Sequence, residues 1–85
     1  MAKEVWVVTY TSQYDDIYTE AKVCSTEAKA LQELADYVRD IHESVGSTDD
    51  VNEFADEGFR GKYCFEHCDD YGHKFLVEAT KTEII

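Results

Sequence analysis

Residues 25–46 read STEAKALQELADYVRDIHESVG, and this stretch predicts the long helix around which the rest of the fold can be inferred. Ser25 or Thr26 can cap the start of an α-helix here, and Gly46 can end it. Apolar residues recur at helical spacing and share one face: Ala28, Leu31, Leu34, Ala35, Val38, Ile41 and Val45. A helix with one apolar face needs a second layer to pack against, and the flanking sequence supplies strands.

Two strand-like segments precede this helix. Residues 4–10, EVWVVTY, and 17–24, IYTEAKVC, are rich in β-branched and aromatic side chains. The polar residues YDD at 14–16 separate them and predict a hairpin turn. Both faces of the first strand are apolar, so either could be the buried one: Trp6, Val8 and Tyr10, or Val5 and Val7.

A shorter helix and a second hairpin follow. In residues 47–58, STDDVNEFADEG, Thr48 or Asp49 can cap a helix, Gly58 ends it, and a small apolar patch is formed by Val51, Phe54 and Ala55. The order β-β-α-(short α)-β-β predicts one α+β domain over residues 1–85. We expect a four-stranded, mainly antiparallel sheet with the long helix packed on one face, against Phe65, Phe75 and Val77 and a valine pair of the first strand, Val5 and Val7.

Residues 64–73, CFEHCDDYGH, form the tip of the second hairpin. A type I turn over Asp69–Gly72 places Asp69 opposite His73. The register that follows pairs His67 with Phe75, Phe65 with Val77 and Tyr63 with Ala79. It also places Cys64, Glu66 and Cys68 on the face opposite His67 and His73. Thiol and imidazole ligands then cannot converge on one zinc ion, so we expect no metal and no cofactor.

The sequence contains no catalytic motif of high specificity, and we predict that the protein is not an enzyme. Phosphate-binding, dinucleotide-binding and EF-hand loops are absent. The cysteines, Cys24, Cys64 and Cys68, are odd in number, which favours thiols in a reducing cytosol. No signal peptide or membrane span is indicated, so we expect a cytoplasmic protein that does not bind membranes.

Charge is the most distinctive feature of the chain. The net charge of −11 lacks the basic footprint of a nucleic-acid-binding protein. Much of the excess lies between residues 36 and 57, where Arg39 is the one base among eight acids: Asp36, Asp40, Glu43, Asp49, Asp50, Glu53, Asp56 and Glu57. We predict that these acids bind a basic protein partner, although an acidic surface can also serve solubility alone.

The small acidic chain, with its EVWVVTYTSQYDD hairpin and its segment DYVRDIHESVGSTDDVNEFADEG, resembles small inhibitors that phages and mobile elements direct against host nucleases. Anti-CRISPR and anti-restriction proteins are examples. The resemblance lies in size, charge and element order, and it implies that an acidic surface occupies a positively charged channel that normally holds DNA or RNA. Two alternatives stay open: a generic regulatory module of a bacterium or phage, and a small metal-binding protein using Cys64, His67 and Cys68. The sequence also leaves open a monomer or a small homo-oligomer.

Overall fold

The computed structural model describes residues 3–13, 16–46, 48, 50–69 and 72–84. Their elements are β1 (Lys3–Gln13), β2 (Ile17–Cys24), α1 (Glu27–Val45), α2 (Val51–Gly58), β3 (Cys64–Cys68) and β4 (Lys74–Ile84). The strands form one sheet in the order β2-β1-β4-β3, and all three neighbouring pairs are antiparallel. The predicted α+β fold with one long helix is confirmed. In these ranges, neither helix combines the length and apolarity that crossing a membrane requires.

The ladders define which face of β1 is buried beneath the helices. Val8 pairs with Ala79 of β4 and with Lys22 of β2, and its side chain is fully buried in the main core cluster. Because side chains alternate along a strand, Trp6 and Tyr10 share this face, and both pack partly buried against the cluster. The expectation that Val5 and Val7 contact the helix is wrong. They lie on the opposite side of the sheet, where Val5 is buried outside the main cluster and Val7 is half-buried.

The buried face of α1 is rotated from the predicted one. Leu34, Val38 and Ile41 are buried as expected, against the expected core residues Phe65, Phe75 and Val77. Leu31 is only half-buried, and Ala28 and Ala35 are exposed. Ala30 and Tyr37 are buried instead. The reason is that the Tyr37 ring stacks on Tyr10 with the centroids 5.0 Å apart, and this large aromatic contact turns the face of the helix toward β1.

The helix ends follow local capping chemistry. Thr26 caps α1 by accepting a hydrogen bond from the Lys29 amide, and Gly46 ends the helix with φ of 64°. The α2 cap is Asp50, which accepts from the Asn52 amide, rather than Thr48; Asp49 lies outside the described residues. Gly58 is the last residue of α2 rather than a residue beyond it, and Phe59 forms the C-cap.

The β3–β4 hairpin has the predicted register. Phe65 pairs with Val77 and His67 with Phe75, while the Ala79 amide donates to the Tyr63 carbonyl at 2.8 Å. Asp69 lies opposite His73, and the Gly72 amide donates to the Asp69 carbonyl with Gly72 at φ of 84°. Two residues of this turn, Asp70 and Tyr71, and two of the first turn, Tyr14 and Asp15, lie outside the described residues.

Candidate partner-binding surface

The two helices form one layer on the same face of the sheet. α1 packs on β1, β2 and β4, while α2 packs on β3 and on α1. Each helix buries an apolar side toward the sheet, with Leu34 and Ile41 central in α1 and Phe54 in α2. Their outward sides therefore face solvent on a single side of the molecule. We call this side the helical surface; the predicted acids lie in or next to these two helices.

Along α1, three of the predicted acids follow the solvent side. Asp40 and Glu43 are exposed, and the Asp36 side chain is 46% exposed. Steps of four and three residues place neighbours of this kind about 5 to 6 Å apart between β-carbons. Asp36 follows Leu34 by two residues, Glu43 follows Ile41 by two, and Asp40 follows Leu34 by six. At 3.6 residues per turn, these separations rotate the acids away from the buried face. The structure thus places these three acids in one exposed row.

The remaining acids lie on and just before α2. Glu53, Asp56 and Glu57 are exposed, and α2 contains no basic residue. Asp50 is also exposed, although one of its carboxylate oxygens caps the helix at 3.3 Å from the Asn52 nitrogen. Asp49 lies outside the described residues. Asp56 follows Phe54 by two residues and lies across α2 from it, whereas Glu57 follows by three and borders the buried side; both are exposed, as is Glu53.

Compensating positive charge on the helical surface is sparse. Arg39 pairs with Asp36, with Nη2 3.4 Å from Oδ1. Arg60 donates to the main-chain carbonyl of Glu57, at 2.8 Å, rather than to its carboxylate. Within the described ranges, no other Lys or Arg forms an ion pair with a predicted site acid; the other lysine ion pairs hold Glu4, Glu27 and Glu33. The site acids therefore repel one another with little relief inside the fold.

A shallow apolar groove lies between the two helices. Its volume is about 170 Å³, and its lining comprises Ala35, Val38, Arg39, Val51, Asn52, Ala55 and Phe59. Sequence periodicity assigned Ala35 to the buried face, but the structure leaves it exposed beside this groove. The contact between α1 and α2 creates the groove, so no sequence signal identifies it before the helices are packed. It places an apolar depression next to the acidic row.

The opposite side of the sheet differs strongly in charge. We call it the open sheet face. Where β1 and β2 adjoin, its side chains between residues 5 and 23 are uncharged, among them Val7, Thr9, Ala21 and Val23. Its charges on β3 and β4 are mixed, with Glu66 and Glu78 near Lys74. The acidic excess is thus concentrated on the helical surface rather than spread evenly over the molecule.

The residues of the metal alternative do not come together. The ladder places Cys64 and Cys68 on the open sheet face, whereas His67 points to the core, with its ring centroid 4.8 Å from that of Phe54. Among the residues that the structure describes, no three His, Cys, Asp or Glu side chains are arranged to hold a metal ion. The three cysteines are free thiols, and burial raises the pKa of the Cys64 thiol, which lowers its thiolate fraction.

Comparisons with known proteins give no relative. The chain matches no protein-family model, no curated protein and no solved structure.

Proposed function

We propose that this protein is a non-enzymatic inhibitor that binds a basic, nucleic-acid-handling host protein through the helical surface. The observation that carries this proposal is the concentration of seven described carboxylates in and beside α1 and α2, of which Asp36 pairs with Arg39: Asp36, Asp40, Glu43, Asp50, Glu53, Asp56 and Glu57. The acids take the place of nucleic-acid phosphates, as in anti-CRISPR or anti-restriction inhibitors. The protein acts in the cytoplasm of the host cell.

The spacing of the acids supports mimicry of a nucleic-acid strand. Carboxylates at steps of three and four along α1 form a row with a repeat comparable to that of phosphates along one strand. Lysine and arginine side chains of a nuclease or guide-RNA complex would relieve the repulsion among these carboxylates. Such a partner would be attracted over several ångströms and oriented before contact, because charge complementarity accelerates association.

The groove between α1 and α2 supplies a second element of recognition. An exposed row of charges gives fast association, but tight complexes usually also bury apolar side chains near the centre of the interface. Ala35, Val51 and Ala55 offer apolar surface beside Arg39 and the acidic row. A partner side chain that enters this groove would distinguish the proposed interface from a purely electrostatic one.

Affinity capture with the tagged protein from a bacterial lysate tests the class of partner. We expect basic nucleases or their guide-RNA complexes, whose binding weakens steeply with salt and is competed by the nucleic acid that they normally hold. Recovery of only acidic or neutral proteins would contradict the proposal. Binding that is unchanged between low and high salt would contradict mimicry by charge.

A matched pair of variants then locates the interface. Asp40→Lys/Glu43→Lys changes the helical surface, and Glu66→Lys/Glu78→Lys changes the open sheet face by the same number of charges. We expect the first variant to lose binding by about tenfold or more, since each reversal replaces attraction with repulsion. The second variant should bind nearly as the parent does. Equal losses would show that only net charge matters, and a greater loss in the second would place the interface on the open sheet face.

A further inference from the structure

The large apolar side chains that are most exposed in the described residues share one strand. Ile17 is 73% exposed, Val23 70% and Tyr18 56%, and all three belong to β2. Ile17 and Val23 lie on the open sheet face and Tyr18 lies on the helix-facing side, so the strand exposes apolar side chains on both sides. β2 contributes little to the core, where Cys24 is its one buried residue.

β2 is also an edge strand, with no strand of the described residues on its outer side. In the sheet order its hydrogen-bonded neighbour is β1 on one side, and the other side ends the sheet. The strand runs for eight residues, IYTEAKVC, without proline or glycine. Natural edge strands are commonly short, bulged or interrupted by proline, because an unpaired row of amide and carbonyl groups templates the addition of another strand.

We propose that β2 pairs antiparallel with β2 of a second copy of this chain, with Ala21 on the two-fold axis. The pairing extends the two four-stranded sheets into one continuous sheet. It rests on the edge geometry and the charges of β2, and it stands independently of the inhibitor function proposed above.

Symmetry and charge select the register. Two antiparallel strands in one sheet are related by an axis perpendicular to that sheet, so facing residues lie on the same face and differ by an even number. The two longest registers pair residues 17–23 about Glu20 or residues 18–24 about Ala21. The first places two Glu20 carboxylates directly opposite each other, which is destabilising. The second places Glu20 of each copy opposite Lys22 of the other, twice.

The surroundings of Lys22 favour the second register. Its Nζ lies 3.1 Å from Glu33 Oε2 and 5.0 Å from the centre of the Tyr37 ring, which holds the chain on the helix-facing side of β2. Glu20 lies on the same side, because the two residues are separated by two positions. Lys22 would then lie between Glu33 of its own chain and Glu20 of the second copy. On the open sheet face, Thr19 would face Val23 and cover part of its exposed surface.

The two-fold axis has a consequence for the acidic helices. Because it is perpendicular to the sheet, the helix layers of both copies lie on the same side. Two helical surfaces would then face in one direction and form a longer acidic surface. The contact between two strands is small, so we expect a weak dimer that forms at micromolar to millimolar protein concentration. Physiological salt limits repulsion between the copies, since the Debye length there is about 8 Å.

Cysteine crosslinking tests the register. In a Cys64→Ser/Cys68→Ser background, Ala21→Cys should form a disulfide-linked dimer under mild oxidation, because the two positions meet at the axis. Glu20→Cys in the same background should crosslink much more slowly. In the proposed register position 20 of each copy faces Lys22 of the other copy, so the two introduced thiols are two residues apart along the strands. Faster crosslinking of Glu20→Cys would overturn the proposed register. Failure of both variants to crosslink would overturn the pairing.

Sedimentation equilibrium with charge variants tests the dimer without a disulfide. We expect Lys22→Glu and Glu20→Lys each to raise the dimer dissociation constant about tenfold or more, because both cross-strand pairs become repulsive. The double variant Glu20→Lys/Lys22→Glu should dimerise again, because the cross-strand pairs are then opposite in charge. Lys29→Glu, which makes the same charge change on the exposed side of α1, should leave dimerisation intact. Circular dichroism checks that each variant is folded. A monomer at every concentration, a dimer that survives both single changes, or an exchange that restores nothing would refute the proposal.

Discussion

Replacing Gly58 with alanine tests the packing between α2 and the sheet. Gly58 is the buried last residue of α2, and its φ is not positive, so its backbone does not require glycine. A β-carbon built there would lie 2.7 Å from both Cδ2 and Cζ of Phe65, and closer still to Cε2. The Phe65 side chain is fully buried, and Phe54 and Phe59 each place a ring 5.5 Å from it between centroids. The ring has little room to move aside.

Two effects of opposite sign determine the stability of Gly58→Ala. Helix propensity favours alanine over glycine by up to about 1 kcal/mol. Overpacking a dense core costs typically about 1 to 3 kcal/mol, and here the obstructing atoms belong to a ring that cannot leave the core. We expect the steric effect to dominate and the free energy of unfolding to fall by about 1 to 2 kcal/mol. In a domain of this size, that corresponds to a loss of roughly 4 to 16 °C in Tm.

Urea denaturation followed by circular dichroism measures this loss, and a double-mutant cycle identifies its cause. Phe65→Leu should be destabilising alone, because it leaves space beside Gly58. In the double variant the added methyl group fills part of that space, so the combined loss should be smaller than the sum by at least about 0.5 kcal/mol. A stabilised Gly58→Ala protein, or strictly additive losses, would refute the steric reasoning.

Leu34→Ala should lower the free energy of unfolding by about 2 to 5 kcal/mol, and Leu31→Ala by clearly less because Leu31 is only half-buried; equal losses in urea denaturation would contradict the observed helix face. The Tyr63 hydroxyl, 2.6 Å from Glu27 Oε1, and then Lys62 lower the pKa of Glu27 below 4.5, so its stabilisation is present above that pH and is lost as pH falls through the folded-state pKa. Glu27→Gln should therefore flatten the decline of Tm as pH falls below about 4.5, and an unchanged decline would exclude this role. Tyr37→Phe should leave stability unchanged or slightly higher, since the buried hydroxyl has no hydrogen-bond partner among the described residues; a loss of about 1 kcal/mol in urea would show that the hydroxyl is bonded.

The register of the second hairpin could be predicted from its turn residues alone. Asp69 and Gly72 determine the turn, and a turn of known length determines which residues of the two strands face each other. The pairing of Phe65 with Val77 could therefore be predicted by counting from the turn. The same count separated Cys64 from His67, so it could be seen from the sequence that these residues do not share one face.

The helix face was predicted less accurately, because hydrophobic periodicity treats every apolar residue alike. Alanine has too little surface to decide which way a helix turns, and exposing Ala28 costs little. Tyrosine buries far more area than alanine, but its hydroxyl makes it intermediate between the residues usually buried and those usually exposed. The stacking of Tyr37 on Tyr10 decided the rotation, and that contact joins residues far apart in the chain.

The candidate site also has features that the sequence predicts and features that only the packed structure shows. The exposed row of Asp36, Asp40 and Glu43 on α1 could be located from sequence, because residues three and four positions apart share one side of a helix. The groove beside Val51 and the edge position of β2 could not, because both depend on which elements become neighbours. For this protein, the sequence alone determined the element types, the helix caps in part, the hairpin register and the excess of acid. The strand order, the inward face of β1 and the exposure of β2 were decided by tertiary packing, because both faces of β1 are apolar and only the assembled core selects between them.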